Sequence, residues 1–111
     1  FSGLNDESER HYRQAFDLCV RVGDPANSPV CLEGIAAIVA GRDPEEAVRL
    51  LGAARTLFDA GNIPAVPGFE GFFGMTLAGV SSAFPEDVVQ ELLAKGAAEA
   101  RHRPLAELAS V

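Results

Sequence analysis

The chain has no tryptophan, one methionine and one tyrosine, so its core has to be built from aliphatic side chains and its seven phenylalanines. It has only two cysteines, Cys19 and Cys31, with no CxxC and no histidine at ligand spacing, which removes the common zinc patterns. Lysine is nearly missing, since Lys95 is the sole non-arginine among nine basic residues. Those basic residues are scattered and the formal net charge is −7, so the phosphate-neutralising patch that nucleic acid binding requires is absent. No apolar run approaches the roughly 20 residues that span a bilayer, and no basic segment followed by an apolar one marks a signal peptide. A membrane partner is not expected, and the cytoplasm is the expected compartment. The phosphate-cradling pattern GxxxxGK[ST] does not occur. Alternation of apolar and polar residues never persists beyond a few positions, which excludes half-buried strands.

What remains is helical. Apolar residues make up 48% of the chain and charged residues 23%, enough apolar surface to exclude disorder, and 111 residues suit a single domain. Punctuation and three-and-four spacing predict six helices. The first runs from Asn5 or Asp6, with acids in its first turn, to about Val22 and carries Tyr12, Ala15, Phe16 and Cys19 on one face. The second, Ser28 to Ala40, has Pro29 in its first turn and an apolar stripe of Leu32, Ile35, Ala36 and Val39, broadened by Cys31 and Ile38. So wide a face predicts a helix lying between neighbours. Both cysteines fall in apolar patterns and read as reduced core thiols, with a disulfide as the alternative.

The strongest local signal is Asp43-Pro44-Glu45-Glu46: a capping oxygen, a proline and two carboxylates at the positive end of a helix. The third helix starts there, buries Ala47, Leu50, Leu51, Ala54, Leu57 and Phe58, pairs Glu45 with Arg49 on its wet side and stops near Ala60. Gly61 to Gly68 holds two glycines and two prolines and reads as the longest loop. The fourth helix runs from about Pro67 or Gly68 to Ser82, and the fifth from Pro85 with Val88, Val89, Leu92, Leu93 and Ala97 inward. A short sixth, Leu105 to Ala109, follows Pro104. Short connections predict antiparallel neighbours, hence stacked hairpins.

A shift of the chain against itself by 39 residues superposes Ala15 on Ala54, Leu18 on Leu57, Pro25 on Pro64 and Ala26 on Ala65. Helix pairs repeating every 34 to 47 residues, roughly, are the mark of tetratricopeptide-like solenoids. The run Cys31-Leu32-Glu33-Gly34-Ile35-Ala36, followed by Gly41-Arg42-Asp43-Pro44-Glu45-Glu46-Ala47-Val48-Arg49-Leu50-Leu51-Gly52-Ala53-Ala54, resembles a stretch near the C-terminus of large bacterial LuxR-type and MalT-like regulators. These are signal-transduction ATPases, some fused to an adenylate-cyclase-like domain. The resemblance implies a right-handed tetratricopeptide-like array, and it implies that the chain is the C-terminal piece of a longer regulator whose chemistry lies in other domains. It weakens after Gly61, where Gly68-Phe69-Glu70-Gly71-Phe72-Phe73-Gly74 is richer in glycine and phenylalanine than the charged helix of those regulators.

No catalytic, cofactor-binding or metal-ligating residue is expected. His11 and His102 sit in polar stretches, and the acid pairs Glu45-Glu46 and Glu86-Asp87 occupy first turns, where the helix dipole accounts for them. The ambiguous feature is the aromatic cluster of Phe69, Phe72, Phe73 and Phe84. Phenylalanine is usually core, yet Phe72 and Phe73 diverge by about 100° on a helix. One of them, with Met75, is expected to emerge. Phe69, Phe72, Phe73 and Met75 are therefore the candidate interaction patch. The expected function is a protein-interaction or scaffold module without chemistry, bound to other parts of its parent, to a partner protein or to a second copy. A small-effector sensor, with a pocket lined by Phe72 and Met75, is the alternative.

Overall fold

The computed structural model describes residues 2–23, 27–60 and 69–102, with side chains for 6–23, 27–60 and 74–102. Five helices and no strand occur among them: α1 (Ser2–Val22), α2 (Ser28–Val39), α3 (Pro44–Ala60), α4 (Phe69–Ser81) and α5 (Glu86–His102). The expected loop Gly61–Gly68, the sixth helix Leu105–Ala109 and the repeat pairs Pro25/Pro64 and Ala26/Ala65 lie outside the described residues. No described helix is long and apolar enough to cross a membrane.

Helix α1 starts at Ser2 and not at Asn5 or Asp6, and its first turn contains no acid. An Asn-Asp pair caps a helix only where the backbone leaves helical geometry. Here it does not. At the other end Gly23 adopts φ 71° and donates its N–H to the Val20 carbonyl at 3.3 Å, a left-handed stop that glycine accepts without a Cβ penalty. The α2–α3 turn is tight: Arg42 and Asp43 both donate N–H to the Val39 carbonyl, at 3.0 and 2.8 Å. Asp43 then caps α3, its Oδ1 accepting the Glu46 N–H at 3.1 Å. Replacing Asp43 with alanine is expected to cost about 1 kcal/mol, read as a lower urea midpoint. An unchanged midpoint would mean that water satisfies those donors equally well.

The core is the stripe expected of α2, with Leu32, Ile35, Ala36 and Val39 wholly buried, set against Ala47, Val48, Leu51 and Ala54 of α3, Phe16 of α1, Val80 of α4 and Val89 of α5. Helix α2 lies between α1 and α3, as its wide apolar face requires, and also touches α4. Both cysteines are free thiols, Cys31 buried and Cys19 half-buried. The two described pairs aligned by the 39-residue shift do not share environments: Leu18 is exposed while Leu57 is half-buried, and Ala15 is half-buried while Ala54 is buried.

Contacts follow chain order from α1 to α3, then depart from it. The most extensive helix interface is α3 with α5, whereas α4 makes only small contacts with α2 and α3. Two glycines explain the α3–α5 pairing. A Cβ on Gly52 would overlap the Leu93 carbonyl oxygen, and a Cβ on Gly96 would overlap the Arg49 carbonyl oxygen. The helices touch backbone to backbone there. Because Gly52 meets residue 93 while Arg49 meets residue 96, they run antiparallel. This contact redirects Arg49. It pairs across the interface with Glu99 at 3.7 Å in place of the expected Glu45, because both side chains are partly enclosed by the crossing.

Candidate interaction surface

Helix α4 carries the residues singled out from the sequence. The side chains of Phe69, Phe72 and Phe73 lie outside the described residues. Met75 is 74% exposed, the most exposed large apolar side chain described. On the same helix Val80 is buried and Leu77 half-buried, while Gly79 is exposed. One stripe of α4 therefore faces the core and another faces outward. Phe84, in the turn that follows, packs against the core.

Between this outward stripe and the end of α2 runs an open groove lined by Ala37, Ala40, Gly41, Met75, Gly79 and Val80. Small residues on both walls make it shallow enough for a helix to approach, and Met75 stands on it as a polarisable side chain that adapts to irregular partners. Among the described residues the groove is open to solvent. Further apolar side chains are exposed where α1 ends and α2 begins: Leu18, Val22 and Val30. The sequence reading did not single out these three. Their signal was available, since Leu18 and Val22 stand four apart on the side of α1 opposite Phe16.

A cluster of charges was also missed. Glu9, on α1, is 12% exposed at its side chain and is gripped by two arginines. Arg42 in the α2–α3 turn engages it in a fork, Nη1 to Oε1 at 2.8 Å and Nη2 to Oε2 at 2.9 Å. Arg13, one turn along α1, donates Nε to Glu9 Oε2 at 2.9 Å. Its Nη2 also reaches Glu46 Oε1 in the first turn of α3, at 3.2 Å. Bidentate guanidinium–carboxylate bonds of this kind are the strong, geometrically exacting ones. The Arg42 hydrogen bonds, with those of Arg13 and both positive charges, outweigh partial burial and hold the Glu9 carboxyl at about 2, against an ordinary 4.5. The Arg42 guanidinium is raised in turn by the same carboxylate. Glu46 therefore does more than complement the dipole of α3.

His11 and His102 are exposed, His11 lying 3.8 Å from Glu7. Among the described residues no group of three or more His, Cys, Asp or Glu could hold a metal ion. No protein-family model, no curated protein and no solved structure matches the chain.

Proposed function

We propose that the chain is a protein-interaction module, the terminal helical-repeat part of a multidomain bacterial transcriptional regulator of the LuxR-type or MalT-like kind. It does no chemistry and takes no cofactor in this reading. It works in the cytoplasm and engages another domain of its parent, or a partner protein, through the groove between α2 and α4. The observation that carries the proposal is that groove, with a strongly exposed Met75 above walls of alanine and glycine. Apolar grooves flanked by helices accept an amphipathic helix, whose anchors seat one turn apart. The successive packing of α1 on α2 and of α2 on α3 supports a repeat-type origin. In this reading α5, packed on α3 in place of α4, is the closing helix of the array.

The test is a photo-crosslinker placed at position 75 in the protein expressed in bacterial cytosol, with the same group at Lys95, exposed on α5, as the control. The expected result is a discrete adduct from position 75, mapped by mass spectrometry to one helical segment of the parent or of one partner. Equal, diffuse labelling from both positions would dismiss the groove as an interaction site.

A further inference from the structure

Helix α4 differs from its neighbours in charge. From Gly71 to Pro85 the chain has no charged residue, whereas α1, α3 and α5 each expose acids, among them Asp6, Glu45 and Glu91. The stripe of α4 turned away from Leu77 and Val80 consists of Met75, Ala78 and Gly79 and continues into Ser82, all exposed. Its hydroxyl is satisfied within the chain, Ser82 Oγ donating to the Gly79 carbonyl at 3.2 Å. Covering this stripe therefore strips water from no charge.

The stripe also has relief. Met75 is 74% exposed and stands out from it. One turn on, about 6 Å along the axis, Gly79 leaves a hollow: a Cβ added there would meet nothing within 4 Å, and Gly41 across the groove is equally open. One patch thus holds both a knob and a hole. Two identical patches fit each other about a two-fold axis when knob and hole lie at equal distances from that axis. An axis at the level of residue 77 meets this condition. It sets two α4 helices antiparallel, with Met75 of each copy over Gly79 of the other and Ala78 beside the axis.

We infer that the groove between α2 and α4 is occupied by α4 of a second copy of this chain. The inference rests on the reading of that groove as an interaction surface and names its occupant. Charge selects the face. Each copy has a formal net charge of −7, so two copies repel, and an approach through α1, α3 or α5 sets acids against acids. Through α4 they meet without that cost, and the uncharged stripe gives a basic segment nothing to hold. Close helix approach over glycine is also what this chain does internally, where α3 and α5 cross at Gly52 and Gly96. Size sets the strength. Helix α4 has 13 residues, and pairing it along its length of about 20 Å buries on the order of 400 Å² per copy, half the roughly 800 Å² of a standard interface. The pair is a weak, exchanging one, formed at concentrations on the order of tens of micromolar and above.

The test is sedimentation velocity of the 111-residue chain from about 5 to about 500 μM, at about 0.05 M and about 0.5 M salt. Three variants are compared: Gly79→Leu, which fills the hole, and Ala78→Glu and Ala78→Lys, which put charge beside the axis. Both positions are exposed, and circular dichroism checks that each variant stays helical. The parent chain is expected to shift from monomer towards dimer as concentration rises, more readily at high salt, which screens the repulsion between copies. Each variant alone is expected to associate about tenfold more weakly or less. An equimolar mixture of Ala78→Glu and Ala78→Lys is expected to recover association, because opposite charges then face each other across the axis. A parent chain that stays monomeric throughout would overturn the inference, as would a dimer that none of the three variants weakens. A mixture no stronger than its components would overturn the antiparallel pairing about Ala78. A monomeric chain that still gives a discrete adduct from position 75 to another protein would refute the second copy alone. A monomeric chain with only diffuse labelling would remove the groove as an interaction surface as well.

Discussion

Replacing Gly96 with alanine, the smallest side chain that can be added, is expected to destabilise the protein by about 3 kcal/mol or more, while the same replacement at Gly74 stabilises it by about 0.5–1 kcal/mol. Both glycines lie inside helices, where alanine is ordinarily the better residue by just that smaller amount. The sign is decided by what the new methyl meets. At Gly74 nothing lies within 4 Å, so only the propensity gain remains. At Gly96 the methyl would overlap the carbonyl oxygen of Arg49, part of a backbone that has no rotamer to escape into. Helices α3 and α5 would have to separate along their length, loosening Val89 and Leu92 from the core and drawing Arg49 from Glu99. Urea unfolding of the three proteins checks both numbers. A Gly96→Ala chain as stable as the parent would mean that the crossing is slack.

The second large effect is on acid stability. The Glu9 carboxyl is held at about 2 in the folded chain against 4.5 for an ordinary glutamate. A group whose folded value is lowered contributes stability that is fully present above its unfolded value and is lost as pH falls towards the folded one. The window is therefore from about pH 5 down to about pH 2, and the loss across it is on the order of 1–2 kcal/mol, less than the shift alone implies because Arg42, the principal partner, is more than half exposed and water screens the pair. Glu9→Gln is expected to be less stable than the parent at pH 7 and to converge on it as pH falls. The check is the urea midpoint of both chains between pH 7 and pH 3. Parallel curves would show that other carboxylates carry the acid sensitivity.

These two effects come from residues whose roles were hard to see in the sequence, for different reasons. Capping and periodicity are local, so Asp43-Pro44-Glu45-Glu46 announced α3 and the stripe Leu32, Ile35, Ala36 and Val39 announced the core face of α2. The role of Glu9 and Arg13 is not local. Counting apolar positions assigns every charge to water, and only the return of the chain at Arg42 and Glu46 makes their burial favourable. Arg49 shows the same failure: a good partner four residues away lost to Glu99, fifty residues on and visible only once α5 is in place. The glycines were a legible signal left unused. Gly52 and Gly96 sit in the middle of helices at a cost in propensity, and such residues call for a packing reason. Of the candidate patch, Met75 is exposed, while the choice between Phe72 and Phe73 falls on side chains outside the described residues.

The bypassing of α4 has a consequence for time as well as for space. Helices α1, α2 and α3 meet through turns of a few residues, so their contacts come at little entropic cost once each helix exists. The pairing of α3 with α5 requires the whole stretch from Gly61 to Pro85 to be closed into a loop first, and that closure entropy rises with loop length, though slowly. Sequence-distant contacts of this sort slow a helical protein that would otherwise fold quickly. Among the described helices, the interface with the least steric tolerance is thus one that the chain reaches only after a long search.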